Sequence, residues 1–219
     1  MAYDVKFYFE SSAITNAITY GTSWNWNAGG SYYGLTTVKG VTDQTPFSFE
    51  LNNSSSPWKA ALYQGISASQ SARNWTTADT FDCAFTVYES DYALNASLYL
   101  VIRVVSSDLG TVRGVLYDGN PTSVEWEGDD YFSRRHADGI AIQNAVAQQA
   151  TDKIVIEVGA KCLCAVSGYT ARIYAGTDNA GDLPLTDADS VQPTADSWLA
   201  FTYGAGGGAT NISYMIFES

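Results

Sequence analysis

The stretch LNASLYLVIRVVSSDLGTVRGVLY, from Leu94 to Tyr117, decides the fold of this chain. Apolar residues occupy every second position from Leu94 to Val104, and a period of two places them on one face of an extended strand. The turn that follows contains Asp108 and Gly110, residue types that favour a reversal of the chain. The stretch therefore predicts an antiparallel β-hairpin whose first strand turns one face to the core.

The opposite face of this first strand starts polar and becomes mixed, which predicts that it is only partly covered. Tyr99, Val101 and Val105 would then leave more apolar surface than a solitary domain normally shows. We interpret these three side chains as a candidate interface through which the chain forms a homo-oligomer or contacts another protein.

Short alternating stretches recur along the chain and are separated by turn residues, as in Val5–Phe9, Phe81–Val87 and Ile154–Val158. The composition agrees, because 15 Tyr, 9 Phe and 6 Trp favour strands. The turn spacing indicates about twelve to fourteen strands and no helix. We therefore predict an all-β fold, an antiparallel β-sandwich of jelly-roll type, in a single domain spanning residues 1–219.

One segment, Gly139–Ala150, leaves helix and strand as alternatives. Its Ala and Gln residues favour a helix, whereas Ile140, Ile142 and Val146 also fit the alternation of a strand. We interpret the segment as extended.

The charge balance argues against a nucleic-acid partner. The formal net charge is −12, and no basic run is long enough to follow a phosphate backbone. We expect no membrane contact and no cleaved signal, because no window approaches the ~20 apolar residues of a membrane span and the N-terminus lacks a signal pattern. Three cysteines, Cys83, Cys162 and Cys164, are too few for a disulfide framework, which fits synthesis in a reducing cytoplasm.

Glu125 and Glu127 are the strongest candidates for catalysis. On a strand they would project to the same side, as the two carboxylates of a glycosidase must. Their surroundings are similar to the Glu-x-Asp-x-x-Glu strand motif of jelly-roll glucanases, although the order of Asp and Glu differs. The polar turn Gly128–Asp130 predicts water around both carboxylates and no means of keeping one protonated near neutral pH. We therefore expect that the chain is not an enzyme.

Metal sites are weakly indicated, and we expect neither a metal nor a cofactor. Cys162 and Cys164 lack two further ligands of the kind that zinc requires, and the chain has one His. An acidic loop offers oxygen ligands without the order of an EF-hand, namely Asp178, Asn179, Asp182, Asp187 and Asp189. The single His136 follows Arg134 and Arg135, and we expect this basic group to pair with Asp129, Asp130 or Asp138.

Aromatic side chains in or near loops form a candidate carbohydrate-binding set. These are Trp24, Trp26, Tyr32, Tyr33 and Trp75. Tyr and Trp can stack on sugar rings, but they are also enriched where subunits meet, so both alternatives stay open.

Two framework stretches, YLVIRVVSSDLGTVRGVLYDG from Tyr99 and TDKIVIEVGA from Thr151, resemble structural proteins of tailed bacteriophages. Those proteins carry a similar hairpin, then a Gly-Asp-Arg-Ile-Val-Ile-Glu-Ile-Gly strand, then stretches like Asp182–Pro184 and Trp198–Phe201. The resemblance covers approximately residues 81 to 203. Here Thr151–Lys153 replaces the Gly-Asp-Arg, and Cys162–Cys164 is unlike the family pattern.

The resemblance implies a non-enzymatic virion structural protein with a β-sandwich domain, either a capsid decoration protein or a tail-associated one. Its partners would be copies of itself or other virion proteins, and it would be located in the virion after synthesis in the host cytoplasm. The alternative is a carbohydrate-binding or receptor-binding domain that contacts a host glycan through the loop aromatics. A jelly-roll glycosidase is the third hypothesis.

Overall fold

The computed structural model describes residues 3–14, 32–40, 42–52, 58–128, 131–162, 167–177 and 181–204. Regular structure in these residues consists of fourteen β-strands and one short 3-10 helix, Tyr92–Leu94. The predicted all-β fold is therefore confirmed. No helix in these ranges has the length and hydropathy needed to cross a membrane.

The strands follow one another at short intervals. In chain order they are β1 Val5–Ile14, β2 Tyr32–Thr36, β3 Thr42–Asn52, β4 Trp58–Ser67, β5 Arg73–Trp75, β6 Thr80–Glu89, β7 Ala96–Val105, β8 Val112–Gly119, β9 Phe132–Ala141, β10 Val146–Gln148, β11 Lys153–Cys162, β12 Ser167–Thr177, β13 Ala188–Val191 and β14 Trp198–Thr202.

Twelve of these strands form one hydrogen-bonded sheet, and β5 pairs with β10 in a small second sheet. The strand order is β13-β9-β6-β14-β1-β2-β4-β11-β7-β8, while β12 lies between β6 and β3. The pairing of β2 with β4 is parallel, and the other pairings between described strands are antiparallel.

The sheet folds into a sandwich because its two halves face each other across one core. Phe81 on β6 contacts Tyr117 on β8 at a ring distance of 5.0 Å, although the two strands are far apart in the strand order. Strand β1 joins the halves, since Val5–Tyr8 pairs with β14 and the part from Tyr8 onward pairs with β2. A register shift between Phe9 and Ala13 lets the strand bend at this crossing. A jelly-roll connectivity stays a prediction.

The predicted hairpin is present as β7 and β8. Ile102 pairs with Tyr117, and the turn between the strands is held by Asp108, whose Oδ1 accepts hydrogen bonds from Ser106 and from the N–H of Gly110. On its other side, β7 pairs with all ten residues of β11. Strand β7 is therefore an interior strand of its half of the sandwich, as its apolar pattern predicts, whereas β8 is the last strand in the order.

The predicted exposure of the second face of β7 is wrong. Tyr99 is 7% exposed, and Val101 and Val105 are fully buried. On this face Arg103 forms an ion pair with Glu157 of β11. The charge that suggested solvent exposure is therefore neutralised inside the protein. The three side chains are consequently not available as an interface in this structure.

The segment 139–150 is extended, as we interpreted it. Its first residues belong to β9, which ends at Ala141, and Val146–Gln148 forms β10. Gln148 pairs with Arg73 of β5, and this pairing helps to build the cleft described below.

Candidate functional site

The predicted aromatic set does not form one exposed platform in the described residues. Trp24 and Trp26 lie outside the described residues. Tyr33 is half-buried and stacks on Tyr63 of β4 at 5.0 Å, whereas Trp75 is 2% exposed and packs on Phe201. Tyr32 is also half-buried and packs against a different group of buried residues. Both Tyr33 and Trp75 therefore pack against the main core, through different ring contacts.

Trp75 nevertheless lines a cleft of about 280 Å³, which we call the Arg73 cleft. Four parts of the chain meet at this cleft: the start of β1, the segment before β5, strand β10 and the residue after β14. Its apolar lining is supplied by Val5, Phe7, Ala72, Trp75 and Ile154. Its polar lining is supplied by Asp4, Gln70, Ser71, Arg73, Gln148 and Tyr203.

Strand alternation directs the two main side chains of β5 inward. Arg73 and Trp75 are buried, while Asn74 between them is exposed. The indole N–H of Trp75 donates to Gln148 Oε1 at 2.8 Å, and Gln148 Nε2 donates to the Ser71 carbonyl at 2.6 Å. The short β5–β10 sheet thus fixes the wall of the cleft through side chains as well as backbone.

Arg73 lies between two aromatic rings. Its guanidinium carbon is 3.3 Å from the ring centroid of Tyr203 and 4.1 Å from that of Trp75. Nη2 donates to Asp79 at 3.1 Å, and this buried carboxylate also accepts the N–H groups of Thr76 and Gly204. The charge of Arg73 is therefore neutralised inside the protein.

Two polar features of the cleft bear on ligand binding. Arg73 Nε is buried and has no hydrogen-bond partner among the described residues. Burial raises the pKa of the Tyr203 hydroxyl, with Arg73 opposing, so this group stays protonated at neutral pH and can donate.

A second pocket of about 270 Å³ lies at the end of β7 and includes Glu125. Glu125 makes an isolated bridge to Ser97, whose hydroxyl accepts a hydrogen bond from Asn120 at 2.8 Å. Lys161 of β11 contributes a cationic side chain to the same lining.

Glu125 and Glu127 do not face one cleft together. Glu125 is exposed and lines the second pocket, whereas the Glu127 carboxylate accepts from the N–H and the hydroxyl of Ser190. Trp126 between them is buried. The geometry lacks the paired arrangement that glycoside hydrolysis requires, and the expectation that the chain is not an enzyme stays a prediction.

A carboxyl group that the sequence analysis missed lies in the core beside this region. Glu89 is fully buried at the end of β6, and its Oε2 accepts the N–H of Ala96 at 3.0 Å. Burial raises its pKa from 4.5 to about 8, with Glu125 and Asp91 adding to the rise while the Ala96 N–H and Arg135 oppose it. A sequence signal existed, because Glu89 continues the alternation of Phe81–Val87 on the core face.

Within the described residues, the basic group at 134–136 pairs with the acidic loop. His136 Nδ1 lies 2.8 Å from Asp187 Oδ1, and Arg135 lies 2.7 Å from Asp189. Asp138 lies on the same strand, two residues beyond His136; Asp129 and Asp130 lie outside the described residues, so pairing with these two stays a prediction. The pairing partner comes from β13 and its approach because that segment lies along β9.

Another aspartate of the acidic loop, Asp182, forms ion pairs with two lysines. Lys6 and Lys39 lie 2.5 and 2.8 Å from its two oxygens, and Lys39 also contacts the buried Asp196. Asp178, Asn179 and Cys164 lie outside the described residues. No group of three or more potential metal ligands occurs within the described ranges.

No family model matches this sequence, and no curated protein matches it. Similar solved structures include one of infectious bursal disease virus, Gx strain, at 10% identity and a TM-score of 0.30, covering 80% of this chain and 40% of that chain. A CocE/NonD family hydrolase from Staphylococcus aureus matches at 8% identity and a TM-score of 0.26, covering 80% of this chain and 33% of that chain. The chain spans less than half of either protein, and likenesses at these TM-scores carry no argument about function.

Proposed function

We propose that this chain is a non-enzymatic structural protein of a tailed-phage virion, located on the capsid or tail and acting through subunit contacts. The observation that carries the proposal is the pair of framework stretches shared with such proteins. They are about fifty residues apart in the sequence, yet they form neighbouring strands, β7 and β11, in continuous register. Both stretches therefore belong to one unit of the fold, which supports the proposal.

The contact surface in this proposal contains three exposed apolar side chains. Tyr92 is 67% exposed, Tyr131 is 51% exposed and Val124 is 39% exposed. The segment that carries Val124 approaches Tyr92, because a Cβ placed on Gly128 would lie 2.2 Å from the backbone N of Tyr92. Exposed aromatic side chains of this kind are typical of surfaces that bind another protein.

The test is the protein content of purified particles. We expect the chain to be present in many copies by mass spectrometry, and a Tyr92→Ser/Tyr131→Ser double variant to be lost from particles while its fold is retained. Val38→Ser is the matched control, because Val38 is equally exposed but belongs to the segment after β2. Absence of the wild-type chain from particles, together with a monomer at high concentration in light scattering, would refute the proposal.

A second candidate function is glycan or receptor binding. The observation that favours it is the Arg73 cleft, which combines an apolar floor with several hydrogen-bonding groups. This candidate does not exclude the first, since a virion surface protein can also hold a ligand.

A further inference from the structure

We propose that the Arg73 cleft is a binding site for one neutral pyranose ring, such as the terminal sugar of a glycan. The cleft is assembled from described residues of one chain, so the site needs neither a partner subunit nor a virion. The proposal therefore stands or falls independently of the structural role proposed above.

The size of the cleft sets the scale of the ligand. Its volume of about 280 Å³ lies just below the ~300 Å³ at which pockets for small molecules begin. A single sugar ring fits a cleft of this size, and an oligosaccharide would have to extend out of it. The ligand is therefore a terminal or isolated ring.

The distribution of apolar and polar groups suits the two sides of a sugar. Phe7, Trp75 and Ile154 are buried beneath the cleft and offer apolar surface to the C–H face of a ring. The half-buried Gln70 and the exposed Ser71 and Asp4 lie at the rim, where they can exchange hydrogen bonds with hydroxyl groups. A ligand with one apolar face and a hydroxylated edge matches this lining.

One buried hydrogen-bond donor in the cleft has no acceptor among the described residues. Arg73 is buried, yet its Nε has no partner among the described residues, and buried donors are rarely left unsatisfied. The Tyr203 hydroxyl also lines the cleft and keeps a proton that it can donate. A hydroxyl or ring oxygen at this place would accept from either group.

The charges favour a neutral ligand over an anion. Asp79 already neutralises Arg73, and the carboxylate of Asp4 stands at the rim. The net charge of −12 adds a general repulsion of anions. An acidic sugar would therefore meet a carboxylate without gaining a free cation.

The cleft is held in shape before any ligand arrives. Asp4 donates its backbone N–H to Phe201, and its carboxylate accepts the N–H of Tyr203 at 2.6 Å. The backbone of Gln70 bonds to Thr151 and Asp152 on both sides. Such preorganisation reduces the entropy that a weak ligand must overcome.

Saturation-transfer difference NMR on the purified full chain tests the site. The probes are glucose, galactose and N-acetylglucosamine, with N-acetylneuraminic acid as the charged comparison. We expect saturation transfer to at least one neutral sugar, with a dissociation constant in the millimolar range.

Two variants assign the signal to the cleft. Ala72→Trp fills the rim from an exposed position just before β5 and should abolish saturation transfer, whereas Asn74→Trp, exposed on β5 but outside the lining, should leave it unchanged. Tyr203→Phe removes one hydrogen bond and should weaken binding about three- to tenfold, against no change for Tyr131→Phe.

Each result of the NMR measurement either supports or contradicts the proposed sugar site. Transfer to a neutral sugar that is lost in Ala72→Trp and kept in Asn74→Trp supports the site. No transfer to any neutral sugar, equal transfer in both tryptophan variants, or binding of N-acetylneuraminic acid alone would each overturn the proposal. Particle content plays no part in this measurement, so failure here leaves the virion proposal untouched.

Discussion

The buried carboxyl of Glu89 should make the stability of this protein fall as the pH rises from about 5 to 8. In the folded chain its pKa is raised from 4.5 to about 8, chiefly by burial, so the folded state holds a proton that the unfolded state releases. The contribution of Glu89 to the free energy of unfolding is therefore greatest below pH 4.5, declines through neutral pH, and levels off above pH 8. The Glu89→Gln variant keeps an oxygen for the Ala96 N–H and carries no titratable group.

The expected size follows from the pKa difference. At about 1.4 kcal/mol for each tenfold change in proton affinity, Glu89→Gln should be more stable than wild type by about 3 to 5 kcal/mol at pH 8. At pH 5 the two proteins should agree within about 1 kcal/mol. For a chain of this length the difference at pH 8 corresponds to a rise in melting temperature of about 10 °C.

Urea denaturation at several pH values between 5 and 8 measures the effect, with Glu127→Gln as the control for removing a carboxylate outside the core. We expect the control to follow wild type at every pH. Parallel stability curves for wild type and Glu89→Gln would refute the reasoning, as would a loss of stability in the variant that is the same at each pH. Either result would mean that Glu89 is not protonated in the folded state.

Three further changes test the packing. Val101→Asp places a carboxylate on the buried second face of β7 and should cost about 3 to 5 kcal/mol or prevent soluble folding; wild-type solubility would show that this face is open. Asp79→Asn leaves Arg73 buried without its partner and should cost about 3 to 5 kcal/mol in chemical denaturation, and a negligible change would contradict the buried ion pair. Asp187→Asn removes the partner of His136 at the surface. The free energy of unfolding, obtained from thermal denaturation, should change by no more than about 1 kcal/mol.

Local pattern was sufficient for the fold class because strand periodicity is a property of neighbouring residues. The alternation from Leu94 to Val104 predicts both the strand and its core face, and Asp108 and Gly110 predict the turn. The same reasoning placed 139–150 in extended structure against the helix propensity of Ala and Gln. In each case the decisive interactions lie within one strand or hairpin.

The second face of β7 shows where periodicity stops being informative. A mixed row of Tyr, Val and Arg suggests partial exposure, yet Arg103 is neutralised by Glu157, more than fifty positions away. Burial of a polar residue depends on whether a partner of opposite charge arrives beside it. That partner is chosen by strand order, which alternation does not encode.

What the sequence determined by itself was the all-β class, the strands with clear alternation such as β1, β6, β7 and β11, and the β7–β8 hairpin, because these follow from side-chain spacing along the chain. What only the tertiary structure decided was the Arg73 cleft, in which Asp4, Arg73, Gln148 and Tyr203 meet from four distant parts of the chain. The sequence around each of these residues does not mark it as part of a binding site. The physical reason is that a binding site is a property of relative position, and that position is set by the pairing of β1 with β14 and of β5 with β10.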